Sequence, residues 1–127
     1  MNKQAVARAL FSAFMSGDDD SARSLCEANL QACQNGGPPM TLDKLLGFAK
    51  TVRDITKNFR YENIDCSETA SGFVEEHDVC ATLPDGSEFS MPACIVATII
   101  DGKITHLNEY FDTGSAVKLA KALATVG

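Results

Sequence analysis

The sequence predicts an α+β domain in which helices pack on a strongly curved antiparallel sheet. Three observations predict it. Apolar residues recur at steps of three and four through the first half of the chain, which is the helical period. After Asn58 the period changes to two, which is the strand period. Two strong turn signals, Pro84-Asp85-Gly86 and Asp101-Gly102, then divide the second half into hairpins.

Val6, Leu10, Ala13 and Phe14 form one apolar stripe over residues 3–16, a first helix that Gly17 ends. Asp18-Asp19-Asp20-Ser21 starts a second helix over residues 19–28. Carboxylates there accept hydrogen bonds from unpaired N–H groups and complement the helix dipole, so the acid run reads as a solvated helix start rather than a cation site. Asn29 to Gln34 is a candidate short strand, and Asn35-Gly36-Gly37-Pro38-Pro39 is a loop, because two glycines and two prolines defeat helix and sheet alike. Thr41 caps a third helix over 42–57, with Leu45, Phe48, Val52, Ile55 and Phe59 at its buried spacing. Strands are predicted over 60–68, 72–83, 88–100 and 103–111. Thr113-Gly114-Ser115 opens a last helix with Val117, Leu119, Ala120, Leu123 and Ala124 near its apolar side.

The 127 residues fit one domain, 1–127, and 45% hydrophobic content excludes global disorder. Eleven basic against seventeen acidic residues, a net charge of −6, argue against nucleic acid, whose binding needs a basic stripe, and against anionic membranes. No stretch approaches the ~20 apolar residues of a membrane span. The start Met1-Asn2-Lys3-Gln4-Ala5 lacks the charged, then apolar pattern of a secretory signal. Cys26, Cys33, Cys66, Cys80 and Cys94 are odd in number, widely spaced and without C-x-x-C. Neither a metal site nor a disulfide framework is expected, and reduced thiols point to the cytoplasm.

Helices laid on a bent sheet leave a hollow, which is the default binding site. On the strand at 88–100, Phe89, Met91, Ala93 and Ile95 share one face, while Ser90, Pro92, Cys94, Val96 and Thr98 share the other. The larger apolar set is assigned to the hollow. A simple hairpin pairing Leu83 with Glu88 then puts Asp78 opposite Ala93 and Glu76 opposite Ile95. It turns Glu76, Asp78 and Cys80 inward and His77, Val79 and Ala81 outward. Two carboxylates in an apolar hollow repel each other and at least one titrates high, as happens at functional sites. A wet inner face or a pairing basic group, Arg8, Arg53 or Arg60, is the structural alternative. The last strand admits two parities. A two-residue turn at Asp101-Gly102 sends Asn108, Tyr110 and Asp112 inward, whereas a glycine bulge sends Leu107, Glu109 and Phe111 inward.

Leu83-Pro84-Asp85-Gly86-Ser87-Glu88-Phe89, Asp101-Gly102-Lys103-Ile104-Thr105 and Glu109-Tyr110-Phe111-Asp112 carry a resemblance. So does the Ser16-Gly17-Asp18 break in the helical stretch at 5–28. Over nearly the whole chain the sequence resembles the SnoaL-like families of the nuclear-transport-factor-2-like superfamily. The resemblance implies the cystatin-like α+β cone with a central pocket between helices and concave sheet. It also implies no metal or cofactor and a homodimer joined through the sheet. The superfamily holds ketosteroid isomerases, polyketide cyclases, scytalone dehydratase, limonene-epoxide hydrolases and non-catalytic binding modules, so fold alone does not choose a function. In the epoxide-hydrolase branch a last-strand acid just before Tyr-Phe-Asp is catalytic. Glu109 occupies that place, and Asp112 then caps the final helix. The same branch uses an Asp-Arg-Asp set. Asp78 matches its first aspartate, but Glu76 stands where the arginine should be, and Gln31 and Cys33 replace a tyrosine and an asparagine. Epoxide hydrolysis is therefore not expected.

His77 and His106 read as surface or interface histidines, with His106 facing the pocket under the unbulged parity. No Ser-His-Asp order, H-E-x-x-H or phosphate-cradling loop occurs. The expected protein is a cofactor-free isomerase, cyclase or dehydratase acting on a small apolar organic molecule. Asp78, Glu109 and Glu76 are its candidate acids, with Asp78 or Glu109 as general base. Phe14, Phe48, Val52, Phe89, Met91 and Phe111 are expected to shape the substrate site. The alternative is a non-catalytic ligand-binding or protein-interaction module of the same fold. A homodimer is expected because Cys94, Val96, Val79 and Ala81 would leave the outer sheet face apolar.

Overall fold

Each helix begins where the chain supplies a capping side chain. In the computed structural model, which describes residues 1–125, Asn2 Oδ1 accepts a hydrogen bond from Ala5 N at 2.7 Å and starts α1 (Lys3–Ser16). Val126 and Gly127, the end of the predicted domain, lie outside the described residues. Gly17 closes α1 in the left-handed region, φ 77°, with its N–H on Ala13 O. Asp18 caps α2 (Asp19–Leu25), which is shorter than predicted because the chain is already extended at Cys26, the first residue of β1 (Cys26–Gln34). Thr41 caps α3 (Leu42–Ile55) and Asp112 caps α4 (Thr113–Ala124). Phe59 is not on α3. The helix stops at Ile55 and Phe59 belongs to β2 (Lys57–Glu68).

β2, β3 (Gly72–Thr82), β4 (Glu88–Ile100) and β5 (Lys103–Phe111) form an antiparallel meander. β1 adds to the β5 edge in parallel, giving a five-stranded mixed sheet in the order β1-β5-β4-β3-β2. The four helices pack on this sheet, and the core between them includes the fully buried Phe73, Leu10 and Ile104. Gly72 has a packing reason. A Cβ there would meet Ala97 O at 1.9 Å, so β3 and β4 approach closely at that point only because it is glycine. Asn58 and Asn63 take positive φ, 55° and 53°, at the two register shifts of β2, where asparagine tolerates the left-handed backbone of a bulge.

Two turns set which face of each strand is inside. Leu83 N donates to Ser87 O at 2.8 Å and Gly86 N to Leu83 O at 2.9 Å, so the β3–β4 loop holds three residues, Pro84, Asp85 and Gly86. Gly86 supplies the left-handed residue, φ 86°, that such three-residue loops end on. Leu83 therefore lies opposite Ser87 rather than Glu88. The one-residue difference reverses the predicted facing of β3, since side chains alternate with period two. Asp78 pairs with Pro92 and Glu76 with Cys94, while His77 pairs with Ala93 and Glu75 with Ile95. At the other turn both parities contribute. Ile100 pairs with Lys103 across a two-residue turn with Asp101 at φ 52° and Gly102 at φ 78°. The register then shifts, because Ile99 faces Ile104 but Thr98 faces His106. Thr105 is the extra residue, and beyond this bulge Leu107, Glu109 and Phe111 point inward.

Candidate functional site

The concave face of the sheet and the helices enclose a cavity of about 330 Å³. Its wall is built from four layers of sequence. α1 contributes Phe11 and Phe14, α3 contributes Leu45, Phe48 and Val52, and α4 contributes Leu119 and Leu123. The sheet supplies Val79, Met91, Ile95, Leu107 and Phe111. Arg53 on α3 holds two of these helices together, its Nη1 donating to Phe14 O at 2.7 Å. Among the described residues no lysine or arginine lines the cavity, and no group of three His, Cys, Asp or Glu side chains gathers to hold a metal ion.

Four polar side chains interrupt this apolar wall: Gln34, Tyr61, His77 and Glu109. Glu109 is placed by the parallel β1–β5 pair, in which Gln34 is its register partner. Gln34 Nε2 donates to Glu109 Oε1 at 3.1 Å. The backbone pins the same spot, with Asn35 N donating to Glu109 O at 2.8 Å and Phe111 N to Asn35 Oδ1 at 2.9 Å. Asn35 reaches both because it adopts φ 50°. Burial pushes the Glu109 carboxyl above its ordinary value of 4.5, and the Gln34 amide and the charge of His77 pull it partway back. A carboxylate in this setting is more basic than one in water.

His77 lies on β3 one register row from Glu109, with Ala93 between it and Phe111. It is 3% exposed and its Nδ1 sits 2.6 Å from Oε2 of Glu75, itself 2% exposed and on the same inner face. Tyr61 packs against the imidazole with ring centroids 4.5 Å apart. Burial, then the negative charges of Glu109 and Glu75, drives the Tyr61 phenol well above its ordinary value of 10.0, against a smaller opposing pull from Arg53. Tyr61 therefore carries its proton throughout the physiological range. Its hydroxyl has no hydrogen-bond partner among the described residues. It is a fixed donor for whatever enters.

The sequence-predicted site divides. Glu109, Phe14, Phe48, Val52, Met91 and Phe111 line the cavity, Phe48 at the rim with 41% exposure. Phe89 faces inward but is buried in the core at 3% and does not reach the cavity lining. Glu76 and Asp78 are corrected. The three-residue turn puts them on the outer face, Glu76 exposed and Asp78 accepting a hydrogen bond from Asn63 Nδ2 at 2.8 Å. Cys80 shares that outer face, and Val79 and Ala81 face inward, so the outer face is less apolar than expected. Sequence reasoning missed Gln34, Tyr61, Glu75 and His77 as inward groups. The missed signal was the odd series Phe73, Val79, Ala81 and Leu83, which is apolar and carries Glu75 and His77 in the same parity. Asp112 is a helix cap, accepting from Ser115 Oγ at 2.6 Å and from Gly114 N and Ser115 N at 3.2 Å each, and these hydrogen bonds, the Ser115 hydroxyl first, lower its pKa.

The fold is that of solved proteins described as ketosteroid isomerase-like and NTF2-like. A candidate polyketide cyclase from Pseudomonas putida KT2440 superposes with a TM-score of 0.79 at 19% identity, covering 93% of this chain and 97% of that one. A protein of ketosteroid isomerase-like fold from Catenulispora acidiphila, solved in complex with trimethylamine, gives 0.78 at 13%, covering 92% of each chain. An LEH-like epoxide hydrolase from M. tuberculosis gives 0.73 at 17%, covering 96% of this chain and 92% of that one. No protein-family model matches the chain, and neither does any curated protein.

Proposed function

We propose that the protein is a cofactor-free acid–base enzyme of the isomerase, cyclase or dehydratase type, with Glu109 as general base on a small, largely apolar carbonyl compound. One observation supports this most. A desolvated carboxyl, oriented by Gln34, faces a largely apolar cavity of substrate size. Desolvation raises its affinity for a proton. Tyr61 is available to donate to the carbonyl oxygen as charge develops on it. The structural similarity to a candidate polyketide cyclase and an epoxide hydrolase fits a reaction chamber of this kind. The departures at Glu76, Gln31 and Cys33 weigh against epoxide hydrolysis itself.

The experiment is α-proton exchange in D2O, followed by NMR, on the bicyclic ketone 2-tetralone. The wild-type protein is expected to accelerate exchange, and Glu109→Gln to lose that acceleration by about 10²–10⁴-fold, the usual worth of a general base. Equal rates for the two proteins would remove Glu109 from the chemistry.

A second reading is a non-catalytic binding module. The combination of aromatic rings from Phe11, Phe14 and Tyr61 with the carboxyl of Glu109 is suited to a small organic cation. The structural similarity to a protein that holds trimethylamine supports it. Calorimetric titration with trimethylamine separates the readings, since tight binding that Glu109→Gln abolishes, with no exchange activity, favours the module. A homodimer in a cytoplasmic setting belongs to either reading. Its surface would be the outer sheet face around Cys94, Val96 and Tyr110, and a monomer in sedimentation at micromolar concentration would argue against it.

A further inference from the structure

We infer that His77 is the second proton-transfer group of the cavity, delivering a proton from Nε2 to the substrate oxygen, and that Glu75 is the positioning residue that orients it. The inference rests on the acid–base reading of Glu109 given above and adds to it the group that completes the proton balance.

The geometry separates His77 from a histidine that merely fills the core. A structural imidazole in an apolar interior has both ring nitrogens satisfied. Here Nδ1 is committed to Glu75 at 2.6 Å, while Nε2 has no partner among the described residues and the ring forms part of the cavity wall. A carboxylate at that distance keeps the proton on Nδ1, so Nε2 is where a proton arrives or leaves. The ring is held in place. Tyr61 lies at 4.5 Å with a 43° tilt, and Phe11 meets it edge-on at 4.9 Å. Across the sheet its β4 register partner is Ala93, whose small side chain leaves the imidazole open on that side. The titratable groups around it are Glu75 from its own strand, Tyr61 from β2 and Glu109 from β5. The nearest residues of β4 and α1, Ala93 and Phe11, carry none. A buried Glu75 anion alone would be costly, and an imidazolium beside it makes a net-neutral pair that holds a deliverable proton.

The step balances without a cofactor. Glu109 takes a proton from the carbon beside a carbonyl. The C–H electron pair becomes a C=C bond, the C=O π pair moves to oxygen, and that oxygen takes the Nε2 proton. The products are an enol, a neutral Glu109 carboxyl and a neutral His77 whose Nδ1–H still faces Glu75. Running the step backwards at a different carbon of the enol moves the double bond. The substrate class follows: an uncharged ketone with an adjacent C–H, since among the described residues no lysine or arginine lines the cavity to meet an anion.

The test uses 2-tetralone exchange in D2O with 2-naphthol, which mimics its enol, as binding probe. His77→Gln is expected to slow exchange about 10²-fold or more while 2-naphthol affinity changes less than tenfold. Glu75→Gln is expected to keep the imidazole in the cavity but to displace the histidine limb of the pH–rate profile, which a purely structural role would leave in place. Exchange lost in Glu109→Gln yet unchanged in His77→Gln overturns the role of His77 and leaves that of Glu109. Wild-type exchange no faster than buffer overturns both. A measurement on the unaltered protein covers the case in which His77→Gln does not fold. In the 15N spectrum the neutral His77 ring should carry its proton on Nδ1, and 2-naphthol should move the Nε2 resonance. A ring protonated on Nε2, or an Nε2 resonance that saturating 2-naphthol leaves still, overturns the inference.

Discussion

Gln34 and Glu109 face each other across the parallel seam of the sheet, the amide Nε2 donating to the carboxyl Oε1 at 3.1 Å. This contact ties the end of β1 to the one acid that reaches the cavity from β5. It also holds a group whose ionisation opposes folding.

That opposition gives a pH dependence with a definite sign. Burial raises the Glu109 pKa in the folded chain above its unfolded value near 4.5. Its contribution to stability is therefore full below that value and is lost as pH rises through the raised folded value. Glu109→Gln should raise the melting temperature at neutral pH, and the gain should vanish in acid. A constant difference across the pH range would mean that Glu109 is not desolvated. The same substitution removes the proposed base, so stability and activity should move in opposite directions.

Gly72→Ala should destabilise the protein by about 1–3 kcal/mol, the usual cost of overpacking, because the new Cβ would lie 1.9 Å from Ala97 O. Urea unfolding checks this. At the other end of β3, Gly86 in the turn meets nothing on its Cβ side, so any cost of Gly86→Ala comes from its φ of 86° alone.

Phe73→Ala should cost about 3–5 kcal/mol, since the ring is fully buried and meets Phe11 edge-on at 6.3 Å. Chemical denaturation with an unchanged m-value would show that the loss is one of packing.

Deletion of Thr105 should remove the β5 bulge without shifting the register, since Thr98 would still face His106 and Ala97 would still face Leu107. Leu107, Glu109 and Phe111 should therefore keep facing inward. The expected outcome is a single cooperative transition, read by calorimetry, and loss of that transition would show that the bulge itself is needed for the fold.

Asp112→Ala should loosen α4 by removing the acceptor for Gly114 N and Ser115 N, with faster amide exchange in residues 114–117 as the readout.

The element order, the caps and the cavity helices were legible in the sequence because each rests on local chemistry. Asp18 and Thr41 are capping residues by type, and Phe14, Phe48 and Val52 follow a period that needs no partner to define it. The facing of β3 was not. It depends on whether the loop after Leu83 holds three residues or four, and Pro84-Asp85-Gly86-Ser87 suits either. A four-residue loop puts Glu76, Asp78 and Cys80 inside and His77, Val79 and Ala81 outside. On β5 the residues suit either a two-residue turn or a bulge, whereas the chain uses both in succession. The parallel seam that seats Gln34 beside Glu109 joins residues 75 apart in the chain, a distance no local pattern spans.

The Pro84–Gly86 hairpin has an evolutionary consequence. Drawing Ser87 into the turn, so that Leu83 met Glu88, would swap the two rows of β3, offering Glu76 and Asp78 to the interior in place of Glu75 and His77. A lineage could thus exchange one reactive pair for another without altering either, provided the hydrophobic residues beside them changed in step. Comparing hairpin lengths among related genes would be a direct way to sort them by interior chemistry.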